Sequence, residues 1–342
     1  MTVRTVAVAM TLGAAFGAGG MAAQAQDEPF RLVITETETP LVINSVMILA
    51  EELGYFDAEG VDVELIRVTD TPLAFDVLAN GDGDMANIAL DAVLLAVAND
   101  VLDLRAVTSP DRFLPFLIAS KDTLTDADDL EGSNFGVARV GSLDYGLSSM
   151  VMTAQGVDPD SVNWIAIGPP PARAESLANG DIDATTMSIG VWLSMPDHSG
   201  LHILVGVEAF GAAAPVVNKV NVVTAETLAN RRDDIEAVIR ALISLSREFN
   251  ANPAAWVEAM LVSRPDQSRE NLEALAAQFT GSWSVNGGLN ADELNFSVGQ
   301  IFAGEDFAEL TAPALGDWVD TSVIDSILTE LGVDDSADAP GR

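Results

Sequence analysis

Glu51-Glu52-Leu53-Gly54-Tyr55-Phe56-Asp57-Ala58-Glu59-Gly60-Val61-Asp62-Val63-Glu64 carries a helix into a strand within one short stretch. The helical part reaches back to Leu41 and is stopped at Gly54, and Gly60 shapes the turn that follows. Both positions call for a backbone with positive φ, which glycine adopts without steric cost. Val61, Val63, Leu65 and Val68 then recur at the spacing of a strand. On either side the alternation continues. Strands are expected at 31–35, 85–88 and 102–108, and helices at 71–80 and 90–98. The rhythm returns with strands at 134–138, 163–167 and 184–187 and helices at 142–155 and 172–179. Alternating strands and helices imply a mostly parallel sheet covered by helices. Two such units predict two lobes. A strand-like stretch at 216–223 then leads back to the first lobe, and the remainder reads as helical, beginning with a long helix at 225–250 capped by Thr224. The expected organisation is a leader at 1–25, the first part of lobe one at 30–109, lobe two at 110–214, a return to lobe one with C-terminal helices at 215–331, and a loose acidic tail at 332–342.

The leader has Arg4, a small apolar run from Val6 to Met21, and Ala23-Gln24-Ala25 before the polar Gln26-Asp27-Glu28. Those three parts form a cleavable secretory signal. The run is too short and too rich in Gly and Ala to span a membrane, so the mature chain is expected to be exported and not membrane-embedded. With no cysteine to lipidate, a periplasmic location fits.

Fifty-two acids against sixteen bases give a formal net charge of −36 across 342 residues. Such a surface repels nucleic-acid phosphates and anionic lipid headgroups. The absence of cysteine removes disulfides, thiolate metal sites and cysteine nucleophiles. His198 and His202 lie four apart, but Pro196 and Gly200 interrupt any helix that would align them on a metal. No Ser-His-Asp set, P-loop or metal motif occurs, so no cofactor, no metal and no catalytic residue is expected.

Several motifs together carry a family resemblance. The stretch from Glu51 to Glu64 resembles the helix-then-strand signature of type II periplasmic binding proteins. More narrowly, it resembles the nitrate/sulfonate/taurine and thiamine-precursor binding proteins of ABC importers. Asn80-Gly81-Asp82-Gly83-Asp84, the run Asp129 to Val137 with Ser133 where a lysine is usual, Asn179-Gly180-Asp181-Ile182-Asp183-Ala184, and Trp318-Val319-Asp320-Thr321-Ser322 follow in the order of that family. The resemblance spans about residues 32–331. It implies a type II periplasmic-binding-protein fold, two lobes of mostly parallel sheets with a ligand cleft between them. It also implies delivery of a small organic ligand to an ABC permease by cleft closure, with a monomer expected. The alternatives are the ligand-binding partner of a sensor kinase, and a same-fold enzyme resembling chorismate dehydratase.

Ligands of parallel sheets bind beyond the carboxyl ends of the strands. After the first strand, Thr39 and Asn44 are uncharged donors near a helix start; Thr39 is either a ligand contact or an ordinary cap. After the third, Asn87 or Asp91 faces the cleft, or Asp91 bonds the first helical turn. The run Arg139-Val140-Gly141-Ser142-Leu143-Asp144-Tyr145 ends a strand and opens a helix, whose free amides form an anion cradle. The resemblance implies that this loop holds the ligand's acid group. Arg139 either joins it or pairs with surface acids. Asp144 stands where the family often has Ser, Thr or His, and favours a zwitterion, an amine or a heterocycle over a plain sulfonate or nitrate. Ser188 and Trp192 follow a second-lobe strand, where Trp192 either stacks on a ligand or packs in the core. Trp283 and Asn286 are placed to return to the cleft.

Overall fold

The computed structural model describes residues 28–112, 114–304 and 307–340, the side chain of Leu143 excepted. The expected leader lies outside the described residues. Among the described residues ten strands form two sheets. The first contains, in order, β2 (Val63–Arg67), β1 (Phe30–Ile34), β3 (Met85–Ala89), β10 (Lys219–Thr224) and β4 (Leu104–Asp111). The second contains β7 (Asn163–Ala166), β6 (Asn134–Val137), β8 (Ala184–Ser188), β5 (Phe116–Lys121) and β9 (Leu201–Val205). β1 runs parallel to β2 and β3, and β6 to β7 and β8. β10 and β5 run antiparallel to both of their neighbours. Each sheet is therefore mostly parallel with one reversed strand beside its edge.

The glycines that punctuate the sequence do what their positions require. Gly54 and Gly60 have φ of 74° and 77°, and Gly81 and Gly180 have φ of 75° and 80°. Apolar strand residues then bury against the helices: Leu32, Val33, Ile34 and Ile88 in one lobe, and Phe135 and Val137 in the other, where Leu147 and Val151 of the helix Leu143–Ala154 are buried too. Each such side chain removes apolar surface worth about 1.5–3 kcal/mol from water.

β4 extends past the expected break at Ser109-Pro110 and ends at Asp111. Pro110 is tolerated there because β4 is an edge strand, where one missing N–H costs no ladder bond. β5, β9 and the helix Val207–Ala213 complete the second lobe and were not expected from the pattern. β5 is central and continuously buried from Leu117 to Ser120, so it lacks the alternation that marks a half-exposed strand. The long helix expected at 225–250 is two helices, Ala225–Asn230 and Arg232–Ala251. Arg231 leaves helical geometry between them and bonds Asp84, Asp234 and the carbonyl oxygens of Glu28 and Pro29. Thr224 caps the first of the pair, accepting the amide of Thr227 at 3.0 Å. Asp129 reaches back to the amides of Thr125 and Asp126 from within the turn Ala127–Leu130.

The second sheet is drawn from one contiguous segment, whereas the first takes β10 from beyond it. The chain therefore crosses between lobes twice, before β5 and before β10. The crossings are bonded to each other. Leu114 N donates to Val216 O at 3.2 Å, and Asn218 N to Asp111 O at 3.3 Å. Asn218 Nδ2 donates to Asp111 Oδ2 at 2.7 Å. Asp111 is 3% exposed. Burial pushes its carboxyl up to about 7, with the Asn218 bond and Lys219 pulling it down and Glu36 pushing it further up.

The C-terminal tail is fastened rather than loose. Asp338 is buried, and its Oδ1 and Oδ2 accept the amides of Asn286 and Gly288 at 3.0 and 2.9 Å. Asn286 Nδ2 donates to the carbonyl oxygens of Asp334 and Asp338, both at 2.6 Å. Asn286 therefore anchors the tail and does not return to the cleft. The loop needs Gly288 because a Cβ there would lie 2.1 Å from Ser109 O, with φ at 73°. The tail thus holds a loop that braces the end of β4: Thr108 Oγ1 and Ser109 N both donate to Gly287 O at 2.8 Å.

Two outcomes follow. The carboxyl of Asp111 is raised on folding, so its stabilising share is complete below about pH 4 and is lost as pH climbs towards 7. Asp111→Asn should flatten the fall in unfolding free energy over that range by about 3 kcal/mol, taking about 1.4 kcal/mol per pKa unit. Urea melts of both proteins from pH 4 to 7 read the difference; parallel profiles would refute it. Asp338→Ala should cost about 1–3 kcal/mol by leaving two buried amides without an acceptor. It should also make the tail the first point of limited proteolysis.

Candidate functional site

Both lobes present polar groups at the ends of their strands where the crossings leave. In the first lobe, β1 runs out into Thr35 and Glu36, β4 ends at Asp111, and β10 begins at Lys219. Lys219 Nζ donates to Thr35 Oγ1 at 2.7 Å and forms an ion pair with Glu36 Oε1. The pair is mostly covered, at 18% and 14% side-chain exposure. Glu36 Oε1 also accepts Asn44 Nδ2 at 2.9 Å. Behind it runs a buried ladder. Asn44 Nδ2 donates to Asn87 Oδ1 at 2.9 Å, and Asn87 Nδ2 to Asn221 Oδ1 at 2.8 Å. Asn44 Oδ1 is buried and has no partner among the described residues.

In the second lobe, β6 ends at Val137 and the chain turns through Gly141, at φ 82°, into the helix Leu143–Ala154. A Cβ on Gly141 would meet nothing within 4 Å, so the backbone there is open to approach. Ser142 occupies the cap position with extended backbone, but its side chain does not cap. Its Oγ donates to Arg139 O at 2.6 Å and contacts Asp144 Oδ1 at 2.5 Å, and its N donates to Arg139 O at 3.1 Å. The amides that remain for a ligand are those of the first helical turn, where no intrahelical acceptor exists. Asp144 Oδ2 accepts the amide of Ala138 at 2.9 Å and pairs with Arg173 at 3.1 Å. Arg173 is buried, donates to Gly168 O and Thr186 O, and has no partner for Nε among the described residues. Burial pulls its guanidinium below the usual range, and Asp144 opposes that shift.

The residues singled out by sequence divide by location. Asn44 and Asn87 meet in the ladder, and Gly141, Ser142, Asp144 and the start of Leu143 share one loop. Tyr145 packs edge-on against Trp164, ring centroids 4.6 Å apart. Arg139 is exposed. Thr39 is buried and bonds Ser263 Oγ at 2.5 Å, so it neither caps a helix nor stands open to a ligand. Asp91 is exposed and bonds the adjacent amide of Ala92. Ser188 caps the helix Ile189–Ser194 through the amide of Val191. Trp192 is buried against His198, centroids 4.2 Å apart, and Trp283 sits between Phe249 and Phe279. The two histidines bond carbonyl oxygens, His198 that of Trp192 and His202 that of Leu124, each at 2.7 Å. Among the described residues no group of three or more His, Asp or Glu is placed to hold a metal, and no helix is long and apolar enough to cross a membrane.

Sequence reasoning passed over Glu36, Lys219, Asp111 and Arg173. One signal was available: Lys121 and Lys219 are the only lysines in the chain, and Lys219 lies in the returning strand.

A sequence comparison with curated proteins returned no match. Solved structures do match in fold. The putative periplasmic sulfonate-binding protein SsuA of Methylobacillus flagellatus KT aligns at a TM-score of 0.67 and 11% identity, covering 93% of this chain and 98% of that one. The alkanesulfonate-binding protein SsuA of Xanthomonas axonopodis pv. citri, bound to MOPS, aligns at 0.54 and 15% identity, covering 86% and 98%. A mutant of DszB in complex with biphenyl-2-sulfinic acid aligns at 0.60 and 16% identity, covering 88% and 99%. The chain therefore has the periplasmic-binding-protein fold. The family model described as NMT1/THI5 like matches residues 44–255, and the chain belongs to the NMT1/THI5-like family.

Proposed function

We propose that this chain is an exported solute-binding protein that closes its two lobes on one small organic ligand and delivers it, chemically unchanged, to an ABC importer in the periplasm. It acts as a monomer. The observation that carries this reading is the pair of mutually bonded crossings, with polar strand ends of both lobes beside them. A ligand touching both lobes favours the closed arrangement by its contacts to each, and rotation at two short crossings is enough to reach it. The structural neighbours that are periplasmic sulfonate-binding proteins support the same use of the fold.

Fold alone does not decide between binding and catalysis. The ionisable groups beside the crossings have partners already: Lys219 and Glu36 hold each other, as do Arg173 and Asp144, and Asp111 accepts from the Asn218 amide. That arrangement suits holding and orienting a ligand rather than transferring protons to it. The acid end of the ligand is assigned to the turn Gly141–Tyr145, where the helix dipole and open amides favour negative charge.

A thermal-shift screen of sulfonates, amino acids, pyrimidines and aromatic acids should return at least one solute that raises the melting temperature and is recovered intact. At a hundredfold excess over Kd the gain is about 2.7 kcal/mol. Consumption of the solute, or no shift with any solute, would overturn the reading. Leu143→Pro tests the cradle. Proline is tolerated at the first helical position, and Ser142 already has the extended backbone that must precede it. The variant should fold and bind roughly tenfold more weakly than a Leu143→Ala control, as expected for one lost charge-assisted bond. Equal affinities would remove the cradle.

A further inference from the structure

Resting on the binding-protein reading, we propose that Glu36 sets the charge class of the ligand: it cancels the charge of Lys219, so the site takes net-neutral ligands with an N–H donor at the first-lobe end and turns away plain anions. Lys219 is a cation at the start of β10, beside the end of β1, and an unpaired ammonium there would attract any small acid. It is not unpaired. Glu36 holds it, with Thr35 as a second acceptor.

Glu36 is itself held. Asn44 spends both amide hydrogens on acceptors, Glu36 Oε1 and Asn87 Oδ1, so reversing its amide would turn Oδ1 towards two other acceptors. Asn87 is fixed in turn by Asn221. All three asparagines are at most 1% exposed. Glu36 cannot swing away without stranding the Asn44 donor and a largely covered ammonium, each a costly loss. Its place beside Lys219 is built into the lobe. Asp111, the register partner of Lys219 across the β4–β10 pair, adds no positive charge at this end.

The second lobe repeats the cancellation with Arg173 and Asp144. What remains is directional rather than a net charge. At one end are the first-turn amide donors of the helix Leu143–Ala154, and at the other the acceptor edge of the Glu36 carboxylate, whose Oε1 is the atom bonded by Lys219 and Asn44. A plain anion satisfies the amide end alone, inside a protein of net charge −36, and Arg139 beside it is exposed and solvent-screened. A zwitterion, or a neutral ligand with an acceptor and an N–H donor, satisfies both ends.

The test compares matched pairs by isothermal titration: butanoate with 4-aminobutanoate, 3-phenylpropanoate with phenylalanine, and propanesulfonate with 3-aminopropanesulfonate. The native protein should bind an aminated member at least tenfold more tightly than its plain partner. Glu36→Gln keeps the Asn44 bond and frees Lys219. It should weaken the aminated member and strengthen the plain anion, reversing the order, while circular dichroism stays that of the native protein. Adding Lys219→Met to Glu36→Gln should abolish the gained anion binding. Preference of the native protein for a plain anion, or an unchanged ratio in Glu36→Gln, overturns the inference and leaves the binding reading standing. A protein that binds none of these solutes and none of the wider screen loses both.

Discussion

The contact between the two crossings is the constraint from which the rest of the arrangement follows. Asp111 ends β4 and Asn218 precedes β10, and they are bonded through both backbone and side chains. That bond places the end of one edge strand beside the start of the reversed strand. It sets Lys219 opposite Glu36 and brings the polar strand ends of the lobes to a common side. A buried carboxylate at such a point is a stability cost at neutral pH, and its neighbours compensate only in part. The cost falls at the joint that fixes the register of β10 against β4.

Polar groups near the crossings are organised in depth. The asparagine ladder is buried and almost fully bonded, which makes it rigid and unforgiving, because a half-satisfied polar network costs more than an apolar one. Its single loose atom is Asn44 Oδ1. The second lobe has a counterpart in Arg173 Nε. Rigid inner layers of this kind keep the outer charges, Glu36 and Asp144, at fixed positions rather than leaving them to average over rotamers.

Much of the fold was legible because the punctuation is physical. Gly54, Gly60, Gly81 and Gly180 sit at positive φ, and between them the apolar period gives helices and strands within a few residues of their observed ends. β5 escaped because a central strand buried on both faces has no period to read. The helix break at Arg231 escaped because its cause is a set of partners far along the chain, at Glu28, Pro29 and Asp84. The same limit applied to the site. The turn Gly141–Tyr145 was visible as a strand-to-helix loop, and Asn44 and Asn87 as strand-end polar residues. Arg173, Asp111 and Lys219 matter through long-range pairing, which local pattern does not contain. Trp192 and Trp283 show the converse, since a tryptophan in a loop-like stretch reads as available until its neighbours are known.

The strand order also decides how the chain can assemble. β3 pairs with β10, and Asn87 with Asn221, across 134 residues, a long loop to close in one step. The second sheet needs nothing outside its own segment. Once formed, it holds β5 and β9 side by side, with Ile118 opposite Val205. The two ends of the intervening chain are then neighbours, and the long loop has become a short one. The lobe in the middle of the sequence thus acts as a staple for the lobe made from its ends, and a fault that slowed the second sheet would delay the first as well.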